Sequence, residues 1–165
     1  MATLVSVNDG EQLNPTKYDL PQLLQNICKI KDLSPTSTSI NIYVKVLNVL
    51  VVAQRKYEDG TIVEVGEILV GDNSGTIIIS ARGKEQIEML TSINDVIQIE
   101  NGKIEMFDGS YMRLTIDKWG NISKCINTTE IKNIINLANE NIEDDATIVE
   151  NHESLKNYSM IEYTF

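Results

Sequence analysis

The sequence predicts an all-β fold: a small closed barrel of five strands, with a short helix between strands 3 and 4 and an extension at each end. Three observations predict it. Five apolar, strand-like runs lie between residues 40 and 116, punctuated by turn signals. A single helical pattern, residues 83 to 91, is slotted between the third run and the fourth. Finally, Gly66 and the pair Asn101-Gly102 interrupt the long runs where a small closed sheet needs bends or bulges. This is the strand order of a five-stranded OB barrel, a fold that most often binds single-stranded nucleic acid or docks proteins.

The elements follow in order. Residues 1 to 17 are polar and patternless and are expected to be flexible. From Tyr18 to Ile30 the apolar spacing is helical, with Asp19 as cap and Pro21 in the first turn, although the segment from Cys28 also alternates and could be extended. Strand 1 opens at Ile40: Ile42, Val44 and Val46 alternate with Asn41, Tyr43 and Lys45, and the apolar run continues to Val52. So long a first strand would coil through both halves of a barrel. Glu58-Asp59-Gly60 is a hairpin turn, leaving Arg55, Lys56 and Tyr57 in the loop before strand 2 at 62 to 70. The turn from Gly71 to Gly75 is expected to need glycine torsions, and it leads into strand 3 at 76 to 81. In the helix pattern Ile87 and Leu90 form the buried side. Strand 4 covers 96 to 106 and changes inward parity at Asn101-Gly102, from Ile97 and Ile99 to Ile104 and Met106. After the turn at 107 to 110, strand 5 points Met112, Leu114 and Ile116 inward. Beyond it, 128 to 137 shows a short amphipathic helix pattern, 139 to 153 is acidic, and 158 to 165 is strand-like. The organisation read from this is an extension at 1–26, an OB domain at 27–124 and an acidic extension at 125–165.

Composition narrows the function. The net charge is −10, which argues against a basic phosphate-binding domain. The charge is uneven, however: residues 34 to 124 carry 9 Lys/Arg against 12 Asp/Glu, whereas 125 to 165 carry 2 against 8. Any nucleic-acid surface must be a local patch on the barrel. Two cysteines, Cys28 and Cys125, far apart, and one histidine, His152, give no metal-ligand spacing and no Ser/His/Asp arrangement. No phosphate-loop motif occurs, and no apolar run can span a bilayer. The expectation is a non-enzymatic protein without metal, cofactor or membrane association, with reduced thiols, in the nucleus or cytoplasm.

Strand parity selects the candidate site. Lys103, Phe107, Tyr111 and Arg113 leave the outer face of the strand 4–5 hairpin, and Tyr43 and Lys45 are expected nearby because strand 1 pairs with strand 4 in this fold. Rings interleaved with cations suit single strands, since rings stack on bases at roughly 1–3 kcal/mol each while cations track phosphates. Arg55, Lys56 and Tyr57 repeat the pattern on a second loop. Trp119, the sole tryptophan, is expected to close a barrel end by packing.

These residues resemble the simple OB-fold single-stranded DNA-binding proteins, the family of the DNA-binding component of the SOSS complex, related to replication protein A, and within them a plant and protist branch. The resemblance rests on IleTyrValLysVal (42 to 46), LeuValGlyAspAsnSerGly (69 to 75), IleSerAlaArg (79 to 82), IleGluMetPheAspGly (104 to 109) and MetArgLeuThrIleAspLysTrpGlyAsnIle (112 to 122), with AsnTyrSerMetIleGluTyr (157 to 163) at the end. It implies single-stranded nucleic-acid binding through sheet aromatics and cations, and it favours an extended, sheet-joining segment at 27 to 33. One family stacking ring falls on Phe107. Three others fall on Arg82, Lys103 and Leu114, of which Arg82 can still stack by its guanidinium plane. The expected partner is therefore single-stranded DNA or RNA, bound with modest affinity, through Tyr43, Lys45, Arg55, Lys56, Tyr57, Arg82, Lys103, Phe107, Tyr111 and Arg113. The alternative is a protein-interaction OB subunit of a larger complex.

Overall fold

In the computed structural model, which describes residues 27–125 and 152–165, strand β1 spans Ile40–Lys56 and is followed by β2 (Ile62–Asp72) and β3 (Gly75–Arg82). A short helix α1 (Lys84–Met89) comes next, then β4 (Val96–Phe107), β5 (Tyr111–Thr115) and β6 (Asn121–Lys124). The sheet order is β1-β2-β3-β5-β4-β6, and an additional β1–β4 pairing closes β1 through β5 into a ring. This is the five-stranded OB barrel with its helix between β3 and β4.

Closure depends on β1. Its first half pairs with β4, from Ile40 to Lys45, and its second half pairs with β2, from Lys45 to Lys56. Register shifts at Leu47 and Leu50 supply the extra residues that let one strand bend between two partners. The bulge expected at Gly66 therefore lies on the opposite strand. Gly66 serves close approach instead: a Cβ there would lie 2.8 Å from Ile87 Cδ1, so glycine admits α1 against the barrel. The Asn101-Gly102 irregularity is where expected, with Asn101 at φ 56 and a register shift against β1.

Alternation sends Ile42, Val44, Val46, Ile68, Val70, Ile77, Ile79, Ile97, Ile99, Met112 and Leu114 inward, where they are fully buried. Ile87 and Leu90 plug one end. The weakest seam is β3–β5, a parallel contact of two residue pairs, Ile79 with Leu114 and Ser80 with Thr115.

Described segments on either side of the barrel, 27–33 and 156–160, reinforce it. Ile27 bridges Asn41 in parallel, and Ile30–Asp32 then form one 3-10 turn, so the sheet-joining reading holds for its first residue and not for all of 27 to 33. Buried Asp72 accepts the Ile30 N–H at 3.0 Å and the Ser74 N–H at 2.8 Å, latching that turn to the β2–β3 turn. Neither Gly71 nor Gly75 has positive φ, contrary to the expected glycine torsions. A Cβ at Gly75 would lie 2.5 Å from the Tyr158 ring, so this glycine makes room for the C-terminal segment. That segment is not a strand: Tyr158–Met160 form a 3-10 turn packed against β3 and β5. Buried Ser159 accepts the Ile78 N–H at 2.8 Å and donates to the Met112 carbonyl at 2.6 Å, spanning the β3–β5 seam. The segment at 1 to 17 expected to be flexible, most of the helix pattern at 18 to 30, the helix pattern at 128 to 137 and most of the acidic run lie outside the described residues.

Candidate nucleic-acid interface

A groove of about 1170 Å³ runs between the β1–β2 hairpin and the β4–β5 hairpin. Register explains its walls. Opposite residues in an antiparallel pair share a face, so Val51 with Glu67 and Ala53 with Val65 turn one side of the long hairpin the same way. Val51, Val65 and Glu67 line the groove there. Ser80, Ala81 and Arg82 form its floor, Met106, Phe107 and Arg113 the far wall, and the turn after β5 its end.

The expected site residues divide sharply. Phe107, the last residue of β4, is 52% exposed on the groove wall. Asp108 and Gly109 beside it take positive φ in succession, a tight turn that holds the ring at the end of a stiff hairpin. Tyr111 pairs directly with Phe107 but is partly buried and does not line the groove. Arg82 ends β3, exposed, with its backbone N–H held by Gln86 Oε1 at 3.0 Å. Arg55 and Lys56 line the opposite wall; they belong to β1 itself, not to the loop expected there, because the hairpin ladder runs on to Lys56–Ile62. Tyr57 begins the turn and lies outside the lining. Among the described residues, no ion pair engages Arg55, Lys56 or Arg82.

Two expected cations are committed elsewhere. Arg113 is 8% exposed: its Nε lies 3.2 Å from Glu67 Oε2, its Nη1 donates to the Met112 and Ser159 carbonyls, and its guanidinium sits 4.6 Å from the centre of the Phe107 ring. It braces the Phe107 ring from within the protein. Lys103 pairs with both Glu105 and Asp117 at 3.3 Å, and these carboxylates hold its ammonium pKa above the usual value. It does not line the groove. Tyr43 and Lys45 are also apart, half-buried on the first half of β1 beside Gln98 and Val96. Strand 1 does pair with strand 4, but through the half of β4 away from the hairpin tip.

Trp119 overturns its expectation. It is 72% exposed and lines the groove. The turn explains this: Asp117 and Gly120 are first and last residues of a hydrogen-bonded turn, with the Gly120 N–H on the Asp117 carbonyl at 3.0 Å. Asp first and Gly last are the type I signature, which places Trp119 at the corner. That pattern is present in the sequence and favours projection over packing. The following strand β6, which pairs with β4, has no counterpart in the sequence expectations.

The groove is nearly neutral, with five cations (Arg55, Lys56, Arg82, Arg113 and Lys118) against four carboxylates (Glu67, Glu105, Asp108 and Asp117). Asp117 is held below the ordinary carboxylate pKa, chiefly by the Trp119 N–H and then by Lys103. Among the described residues, no group of three or more His, Cys, Asp or Glu side chains could hold a metal ion.

A family model described as single-stranded DNA binding protein Ssb-like, OB fold, matches residues 33–124. Among solved structures, a hypothetical protein of Arabidopsis thaliana is 26% identical, with 84% of this chain and 86% of that one covered and a TM-score of 0.56. The OB domain of a Thermoplasma acidophilum protein is 25% identical, with 62% of this chain and 89% of that one covered and a TM-score of 0.50. A replication protein A heterotrimer bound to ssDNA is similar in fold alone, at 10% identity, with 81% of this chain and 30% of that one covered and a TM-score of 0.54. No curated protein matches the sequence.

Proposed function

The chain belongs to the Ssb-like family of OB-fold single-stranded DNA binding proteins, and on that premise we propose that it binds a single strand in the groove between its two hairpins. DNA is the favoured ligand and RNA the other. The observation that carries this is the exposed Phe107 ring, braced by Arg113 on one wall and faced across the groove by Arg55 and Lys56, with Arg82 on the floor. A base stacks on Phe107 and the cations take the flanking phosphates, while Lys103 and Arg113 hold the hairpin in place. Tyr43, Lys45, Tyr57 and Tyr111 serve at most as flanks. The narrower kinship, with the DNA-binding component of the SOSS complex and a plant and protist branch, rests on the segments quoted above, and the likeness to the Arabidopsis protein favours its plant part alone.

Fluorescence anisotropy with oligo-dT and oligo-U tests the proposal. Binding at low salt that weakens as salt rises is expected; no binding of either strand at low salt refutes it. A second reading has its own observation. Leu50, Val51, Val52 and Ile62 are exposed on the β1–β2 hairpin, an apolar surface suited to a protein subunit of a larger complex. A stoichiometric partner in a native pull-down, together with no oligonucleotide binding, would favour it.

A further inference from the structure

Trp119 is the most exposed aromatic of the groove wall, and the turn that carries it is tied at both ends of the residue. Its N–H donates to Asp117 Oδ1 at 2.9 Å, and its carbonyl accepts from Asn101 Nδ2 at 3.0 Å. The other oxygen of Asp117 takes Lys103 at 3.3 Å. Asn101 is itself fixed, in the left-handed region at the β4 bulge and with its N–H on Asn41 Oδ1 at 3.0 Å. Gly120 closes the turn where a Cβ would lie 2.8 Å from the Asn101 carbonyl oxygen. A tethered backbone with an open indole is a preorganised platform, because little freedom remains to be lost when a partner lands on it. The Lys118 ammonium sits 4.9 Å from the centre of that ring, so a cation accompanies this ring as Arg113 accompanies Phe107.

We propose that Trp119 is a second base-stacking residue of the groove, with Lys118 as its phosphate contact, so that the bound strand runs from Phe107 to the β5–β6 turn. This rests on the single-strand reading above. It also gives Lys103 a role different from direct contact: through Asp117 it holds the stacking turn.

The single tryptophan provides the test. Oligo-dT is titrated at low salt, with labelled-strand anisotropy and tryptophan emission followed in parallel. The expected result is quenching of the emission with the same midpoint as the anisotropy change, and protection of the emission from acrylamide in the complex. Trp119→Ala should weaken binding about 5- to 150-fold, the range spanned by one base stack, while Trp119→Phe should restore most of it. Circular dichroism of the variant checks that the barrel is intact, and acrylamide protection in the unaltered chain needs no variant. Anisotropy binding without quenching or protection, and with Trp119→Ala binding within twofold of the parent, overturns the inference and leaves the single-strand reading standing. No anisotropy change at low salt overturns both.

Discussion

At the scale of single residues, Phe107 and Arg113 touch each other yet answer to different tests. Phe107 is half open, so Phe107→Ala should leave stability nearly unchanged and weaken oligonucleotide binding by about 1–3 kcal/mol, the worth of one stacked base, as read by anisotropy. Arg113 is buried and serves Glu67, Phe107 and two carbonyl groups at once. Arg113→Ala removes every one of these contacts and leaves the Glu67 carboxylate without its partner. Its expected cost is a loss of about 1–3 kcal/mol in unfolding free energy, the range for losing hydrogen bonds to a charged group, because Glu67 is 31% exposed and water can take the place of its partner; urea denaturation measures it. A variant that keeps its stability and loses only salt-dependent affinity would show instead that Arg113 contacts phosphate. Both residues are legible in the sequence as members of one outer face. The partner of Arg113 is not, because Glu67 stands 46 positions away and meets it only once β2, β3 and β5 are side by side.

At the scale of elements, β1 to β5 and α1 can be read from alternation and spacing because each is a local pattern, whereas the four residues of β6 are too few to show one. The C-terminal segment cannot, because its role is to complete polar groups at the β3–β5 seam rather than to present an apolar face. The strand-like alternation from Tyr158 to Phe165 hides a 3-10 turn whose Ser159 hydroxyl occupies both Ile78 N–H and Met112 C=O. Ser159→Ala leaves those two groups unpaired, and a stability loss of about 1–3 kcal/mol is expected from urea denaturation, the penalty for an unsatisfied buried group. The β5–β6 turn adds a pH dependence. The Asp117 pKa is lowered in the folded state, so its contribution is complete above the ordinary value of 3.8 and fades as pH falls through the lower folded value. Lys103 is raised, so its contribution is complete below the ordinary value of 10.5 and fades only as pH rises through the higher folded one. Trp119 emission in the unliganded protein should therefore be flat from about pH 5 to about pH 9 and change only in stronger acid or base. A transition near neutral pH would mean that other groups hold the turn.

At the scale of the whole molecule, a net charge of −10 has to be reconciled with an anionic ligand. Composition alone shows that most of the excess acid lies after residue 124, and the structure adds that within the groove cations and carboxylates almost cancel. Long-range attraction of a strand is then weak, and affinity must come chiefly from stacking plus the few cations that no carboxylate claims. Arg55, Lys56, Arg82 and Lys118 are the groove cations without an ion pair among the described residues. If each neutralises one phosphate, the plot of log K against log salt has a slope of about −3, at roughly −0.7 per contact for single strands. Between about 50 and 200 mM salt the affinity should then fall about 50-fold, less than for a basic domain with many phosphate contacts. Replacing all four by Gln should flatten the slope toward zero while the Phe107 stacking contribution persists. A slope of about −5 or steeper in the unaltered chain would instead require the strand to leave the groove and follow cations elsewhere on the barrel, and the groove that sets Phe107 across from Arg55 would then have no part in binding.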